Sequence, residues 1–258
     1  MRVRGLLVTP IKGLRVRAVE SVELGPSGAR GNRRFYLIDA RDRMLNGKQL
    51  GDLQAVEADW DEDSGRLSLR FPDGREVAGE VRPGPRAATR FFSRPREDHL
   101  VEGPWSEALS EFAGQSLRLL STASAVDRGR AGAVSLISRA SLARLAEVAA
   151  GPAVDARRFR MLIEVDGLGA HEEDSWVDGH TRVGEAMLRW RGHVGRCLVT
   201  SRDPETGIID VPMLDVLGEY RRSVPSTEPL PFGIYGEVSQ AGCVRVGDTV
   251  EWIGSGAR

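Results

Sequence analysis

The chain has 258 residues, 41% hydrophobic and 28% charged, enough to bury a sizeable core in one large or two small domains. Its formal charge of −1 supplies no global pull toward nucleic acid or an anionic membrane, which argues against either as a stable partner. Two cysteines exclude a disulfide framework, and no apolar run approaches the roughly 18 residues of a membrane span, so a cytoplasmic protein is expected.

Residues 2 to 8 alternate arginine with apolar side chains, a strand pattern that stops at Thr9-Pro10. Period-two patterning returns over residues 19–24 and 33–39, and again over 53–60, 66–71 and 76–81, with hairpin-turn compositions at 61–65 and 72–74. Strands this closely spaced, without intervening helices, predict an antiparallel barrel or sandwich. Arg82-Pro83-Gly84-Pro85-Arg86 is expected to be a connector, and residues 104–114 a short helix with proline at its start and glycine at its end. Further helices are predicted over 138–150 and 211–222 from apolar residues at helical spacing, the first ending at Gly151-Pro152. Strands are expected at 134–137, 159–165, 186–190, 198–200, 236–238, 244–246 and 249–253.

Dinucleotide-binding, phosphate-loop, serine-hydrolase and helical zinc-protease signatures are all absent. His171, His180, His193 and Cys197 match no compact zinc spacing. Of 36 basic residues only Lys12 and Lys48 are lysine, and a compact point charge at those two positions suits a specific contact. Cys197 lies between Arg196 and the polar turn Asp203-Pro204-Glu205-Thr206-Gly207, a setting suited to a metal-bound thiolate.

Several segments in fixed order resemble the MOSC superfamily, in particular its two-part members similar to the mitochondrial amidoxime-reducing components and their bacterial relatives. They are Thr9-Pro10-Ile11-Lys12-Gly13, Gly31 to Asp39, Asn46-Gly47-Lys48-Gln49, Val154 to Arg160, Glu173-Asp174-Ser175-Trp176, Arg196-Cys197 with its turn, Tyr220-Arg221, Phe232 to Tyr235 and Val246-Gly247-Asp248. The resemblance implies a mainly β chain with a few helices, an N-terminal β-barrel-like domain over 1–95 and a MOSC-type β-barrel domain over 96–258.

It further implies a molybdenum–pterin cofactor, with Cys197 supplying a thiolate to the metal. Lys12, Arg34 and Arg160 would meet the cofactor's phosphate, Lys48 stands where the family has an arginine, and Arg196 and Ser201 flank the metal. Asp174 is the candidate for proton handling or substrate orientation, and Cys243 is expected to fill core. The implied activity is reduction of N-hydroxylated compounds. Two cysteines cannot supply an iron–sulfur site, so a separate electron-donor protein is expected. A non-catalytic carrier of the cofactor or of persulfide sulfur is the alternative. One departure stands out: Arg160-Met161-Leu162 replaces the family's Arg-Pro-Asn.

Overall fold

The computed structural model describes residues 1–91, 94–123, 127–149, 151 and 153–255. Strands dominate, with three α-helices, α1 (Trp105–Ala113), α2 (Arg139–Val148) and α3 (Met213–Tyr220). The expected helix end at Ala150 and Pro152 lies outside the described residues.

The largest sheet runs, in spatial order, through Val250–Ser255, Gly179–Val183, Ala186–Gly195, Pro231–Gln240, Val134–Ser138, Ile163–Asp166, Arg2–Val8 and Arg17–Val19. Its pairings are antiparallel except between Val134–Ser138 and Ile163–Asp166, where the intervening α2 makes the crossover that parallel strands require. Val3 and Leu6 both enter a core with Leu136, Ile163, Leu188 and Trp190, because a register break between Val3 and Gly5 shifts the alternation read in residues 2–8 by one position. Ser138 caps α2 by accepting from Ser141 N, and the buried Glu173 accepts from Ser138 N, Ser138 Oγ and Ser141 Oγ. A carboxylate at a helix N-terminus complements the helix dipole.

A second core joins Ile11, Leu14, Phe35 and Leu53 to Leu67, Leu69, Trp105 and Leu109, beneath the sheet Glu57–Asp61, Arg66–Arg70 and Glu76–Glu80. Trp105 is fully buried and donates its indole N–H to Leu67 O at 3.2 Å. Burying a large apolar side chain of this kind contributes roughly 2–3 kcal/mol.

The two ends of the chain are interleaved. Strand Arg2–Val8 belongs to the large sheet, and Ser21–Gly25 pairs with Gly242–Arg245. The division expected at residue 95 falls inside strand Arg94–Glu102, which pairs along Arg82–Phe91.

Four local expectations need correction. Residues 82–86 begin a strand, because Arg82–Phe91 lies at the end of its four-stranded sheet, where proline's missing N–H costs little. Residues 53–60 divide into a 3₁₀ turn, Asp52–Ala55, and a strand, Glu57–Asp61. Residues 159–165 give the end of a 3₁₀ turn, a left-handed Arg160, and a strand that starts only at Ile163. Residues 198–200 form the 3₁₀ turn Leu198–Ser201, since both the amide and the hydroxyl of Thr200 bond back to Cys197 O at 3.0 Å. The strand Arg118–Ser121, which pairs with Phe35–Ile38, was not predicted.

Candidate functional site

A cavity of about 750 Å³ opens between the N-terminal loops and the large sheet. Its size is that of a small-molecule or cofactor site. Eight cationic side chains line it, Lys12, Arg33, Lys48, Arg96, Arg128, Arg158, Arg160 and Arg196, against two carboxylates, Asp127 and Glu228. Cys197 lies in the wall, half-buried, where strand Ala186–Gly195 has ended and the turn Leu198–Ser201 begins.

Several of these cations are neutralised within the chain. Lys12 pairs with Asp127 at 2.6 Å, Arg128 with Glu228 at 2.6 Å, Arg96 with Asp98, and Arg158 with both oxygens of Asp210. Arg33, Arg160 and Arg196 have no carboxylate in ion-pair range among the described residues. Arg196 is 8% exposed and held by carbonyls instead, donating to Phe232 O at 2.8 Å and Phe159 O at 3.0 Å. Arg160 donates to Leu14 O at 2.5 Å, and Arg33 donates to Arg160 O at 3.3 Å.

This crowding shows in the proton affinities. Burial pushes Lys12 down to about 8, against the attraction of Asp127 and with repulsion from Arg33 and Arg160. Burial also lowers Arg160 to about 9, helped by Arg33 and opposed by charge on Cys197. Arg196 falls to about 9 for the same first reason, with Cys197 opposing and Arg128 adding repulsion. Cations held this close together out of water cost several kcal/mol unless an anion joins them.

The turn after Cys197 binds the two ends of the chain together. Asp203 Oδ1 accepts from Glu205 N, Thr206 N and Thr206 Oγ1, which fixes the loop. The outer surface of the turn receives Arg15 on Glu205 O at 2.9 Å and Arg157 on the Glu205 carboxylate at 3.0 Å. Gly207 has φ +75°, and a Cβ there would collide with the Gly51 carbonyl. Arg202 bridges the same contact by donating to Gly207 O at 2.6 Å and Lys48 O at 3.3 Å. The motif thus docks the 46–52 loop beside the cysteine.

Of the residues expected at the site, the cavity brings together Lys12, Lys48, Arg160, Arg196 and Cys197. Arg34 lines a separate hollow of about 290 Å³ with Arg30 and Glu62, and its neighbour Arg33 takes the cavity position. Arg33 has φ 50°, so the alternation of the following strand does not extend back to it. Ser201 is buried outside the cavity, accepting from Asp210 N through its carbonyl, and Thr200 lines the wall in its place. Asp174 also lies outside: it is paired with Arg221, 3.6 Å from His193 Nε2. Arg157 and Arg158, from the same segment as Arg160, are paired with Asp155, Glu205 and Asp210. Cys243 is buried, as expected of a core filler.

The departure at 161–162 splits in two. Met161 lines the cavity with its Sδ 3.1 Å from Arg196 Nη2, whereas Leu162 packs in the core of the large sheet. Sequence reading missed Arg33, Gln54, Arg96, Arg128, Glu228 and Tyr235. Gln54 carries the clearest signal in the structure: it is fully buried at the cavity, and its Nε2 has no partner among the described residues.

No group of three or more His, Cys, Asp or Glu side chains among the described residues could hold a metal ion by itself. The donor set is therefore one soft cysteine sulfur, an orphaned amide donor and a surplus of buried cations. It fits a group that brings its own metal, its own further ligands and negative charge.

Fold and site define a mainly β protein with a basic, thiol-bearing cavity. The family follows from the sequence: the MOSC domain model matches residues 123–251 and the MOSC N-terminal beta barrel domain model residues 1–103, and the chain belongs to the MOSC family. Mitochondrial amidoxime reducing component 2 of Bos taurus is 29% identical over 279 residues, covering 95% of this chain and 81% of that protein. Its Homo sapiens counterpart is 40% identical over 98 residues, 36% of this chain and 29% of that protein. The solved structure of the YuaD protein from Bacillus subtilis aligns over 97% of this chain and 94% of its own at 14% identity, with a TM-score of 0.47.

Proposed function

We propose that the chain is a molybdenum-cofactor-dependent reductase of N-hydroxylated compounds, supplied with electrons by a separate redox protein. The observation that carries this reading is one cavity in which Cys197 faces Arg33, Arg160 and Arg196, none with a carboxylate partner among the described residues. The names of the curated relatives, amidoxime reducing components, support the substrate class.

Cys197 would be the protein's ligand to molybdenum. Lys12, Arg33, Arg160 and Arg196 would neutralise the phosphate and orient the pterin, with Gln54 Nε2 donating to an acceptor on the same group. When bound, the cofactor supplies two-electron oxygen-atom chemistry, by which R–N–OH with two electrons and two protons gives R–N–H and water. Phe159, Met161, Val194 and Val199 form the apolar part of the wall. The reading keeps the expectation of a cytoplasmic protein; no helix among the described residues is long and apolar enough to cross a membrane.

One observation favours the second reading, a carrier of the cofactor or of sulfur on Cys197. Both carboxylates in the lining are held in ion pairs, which leaves neither free to deliver a proton. Expression in a cofactor-competent host with elemental analysis, followed by benzamidoxime turnover with an artificial electron donor, separates the two. The reductase predicts stoichiometric molybdenum, lost in Cys197→Ala, and turnover. Full metal with an unchanged spectrum in Cys197→Ala overturns the ligand assignment, and loaded protein that reduces no N-hydroxylated compound overturns the enzyme.

A further inference from the structure

Asp127 and Arg128 are consecutive in the chain and fastened to different walls of the cavity. Asp127 Oδ1 accepts from Lys12 Nζ, in the N-terminal loops, at 2.6 Å. Arg128 Nη2 lies 2.6 Å from Glu228 Oε1, and its Cζ stands 4.4 Å from the centroid of the Tyr235 ring, on strand Pro231–Gln240. All five residues line the cavity that holds Cys197.

Residues 127–132 form a short strap whose own shape keeps the two attachments together. A Cβ at Gly132 would stand 2.3 Å from Asp127 O, so the strap closes on itself through the 3₁₀ turn Gly129–Gly132. Its far end is anchored by the buried Ala133, whose carbonyl lies so near Gly28 that a Cβ there would come within 2.6 Å. Among the described residues, no backbone hydrogen bond joins 127–132 to another element, and side chains hold the strap down. Arg128 is kept at φ 67°, a left-handed conformation that strains a non-glycine residue.

Asp127 supplies the negative charge at one end of the cavity. Burial disfavours that charge, yet Lys12 and then Arg33 outweigh burial and hold the carboxyl below the usual carboxylate range. Glu228 faces Arg128 at the other end. A phosphate monoester brings roughly two negative charges and three acceptor oxygens, a better match for Lys12 and Arg33 than one carboxylate.

Resting on the reading of the cavity as the site of a phosphate-bearing cofactor, we propose that Asp127 is an internal stand-in for that phosphate. Binding of the phosphate at Lys12 displaces Asp127 and lifts the strap, which takes Arg128 off Glu228 and Tyr235. The strap is thus an autoinhibitory contact that the ligand must dislodge. Glu228 Oε2 would stand 2.8 Å from a Cβ at Gly195, two residues before Cys197, so loading at Lys12 also frees the wall beside the thiol.

The test uses the full chain without cofactor and inorganic phosphate as the probe, at constant ionic strength set with sodium chloride, because salt alone weakens ion pairs. Calorimetry is expected to show Asp127→Asn binding phosphate roughly tenfold tighter than the parent, since an intramolecular competitor has been removed. Loss of a negative charge would by itself tighten binding, so displacement is read separately with trypsin, which cuts after Arg128 and Arg130 when the strap lifts. Phosphate should speed cleavage at these two arginines severalfold in the parent, whereas a ligand seated under a fixed strap would protect them. In Asp127→Asn the same cleavage should be fast with or without phosphate. Equal affinity in the two proteins, no binding by either, or phosphate that slows the parent's cleavage or leaves it unchanged overturns the strap. The parent's cleavage needs no variant, so it decides the matter even if Asp127→Asn melts early. Molybdenum content after expression in a cofactor-competent host reports on the reductase reading separately: phosphate-driven lifting in a chain that takes up no molybdenum leaves the strap standing and removes the reductase.

Discussion

Arg33 donates through Nη2 to the carbonyl of Arg160 at 3.3 Å, and both residues hold the left-handed backbone conformation, φ 50° and 54°. One comes from the loop before strand Phe35–Ile38 and the other from the break before Ile163–Asp166. Two strained arginines, joined across 127 residues of sequence and facing one cavity, are an arrangement that folding alone disfavours.

The first prediction compares glycine with alanine at position 160. Alanine pays the left-handed penalty and glycine does not, so Arg160→Gly should be more stable than Arg160→Ala by about 1 kcal/mol in urea unfolding. Both variants remove a repulsive neighbour of Lys12, whose proton affinity should rise from about 8 toward its ordinary value. An amine titration of Lys12 by NMR that does not move would separate the two residues electrostatically.

The second prediction concerns the turn after the cysteine. Gly207 meets the Gly51 backbone so closely that any side chain must push the 46–52 loop away. Gly207→Ala should cost about 2 kcal/mol or more through strain and overpacking. Because that loop carries Lys48 into the cavity, phosphate affinity should fall with it. Unchanged stability in denaturant titrations would show that the loop and the turn move independently.

How far the sequence was legible follows from the kind of signal each residue carried. Period-two patterning revealed strands Arg2–Val8 and Arg66–Arg70, and helical spacing with terminal proline or glycine revealed α1 to α3, because these are local consequences of burial. Cys197, Lys12, Arg160 and Arg196, which line one cavity, were named from motifs. Arg33 was missed in favour of Arg34 because a positive φ turns the chain between them, and no pattern of side-chain types reports a backbone dihedral. Glu228 and Tyr235 meet Arg128 across about a hundred residues of sequence, a juxtaposition set by the pairing of Pro231–Gln240 with Val134–Ser138.

The third prediction separates Asp174 from the chemistry. Its carboxylate is paired with the buried Arg221, which also donates to Pro231 O at 3.0 Å, just before the Phe232 carbonyl that seats Arg196. Asp174→Ala leaves that arginine without its counter-charge and should cost about 3–5 kcal/mol in unfolding free energy. Molybdenum per folded chain should stay constant, whereas a proton-handling role in the cavity would lower turnover with stability intact. His171 lies in the same cluster, its Nε2 2.6 Å from Tyr220 Oη, and burial pushes it down to about 4, with Arg221 adding repulsion. The unfolded chain therefore binds the extra proton first as pH falls below 6.5, and stability should drop between about 6.5 and 4. His171→Gln should flatten that limb.

The last prediction uses the cavity's cations as reporters of a bound anion. Lys12 is lowered from 10.5 to about 8, so between those values the unfolded chain holds a proton that the folded chain has released. Stability must then rise with pH across that window, and below it the buried amine costs on the order of 3 kcal/mol. Arg160 and Arg196, both lowered to about 9, act in the same direction. An anion bound among them restores their proton affinities, so inorganic phosphate should stabilise the folded chain most near neutral pH and flatten the rise. Its binding at pH 8 to 9 should take up protons, measured as a difference in calorimetric heat between buffers of unlike ionisation enthalpy. Lys12→Met should remove most of the proton uptake at pH 8 and the part of the stability rise that begins there, leaving the part above pH 9 that belongs to Arg160 and Arg196. Phosphate that binds with no proton uptake in the parent protein would place the anion away from Lys12, and the cavity would then have to be neutralised by another route.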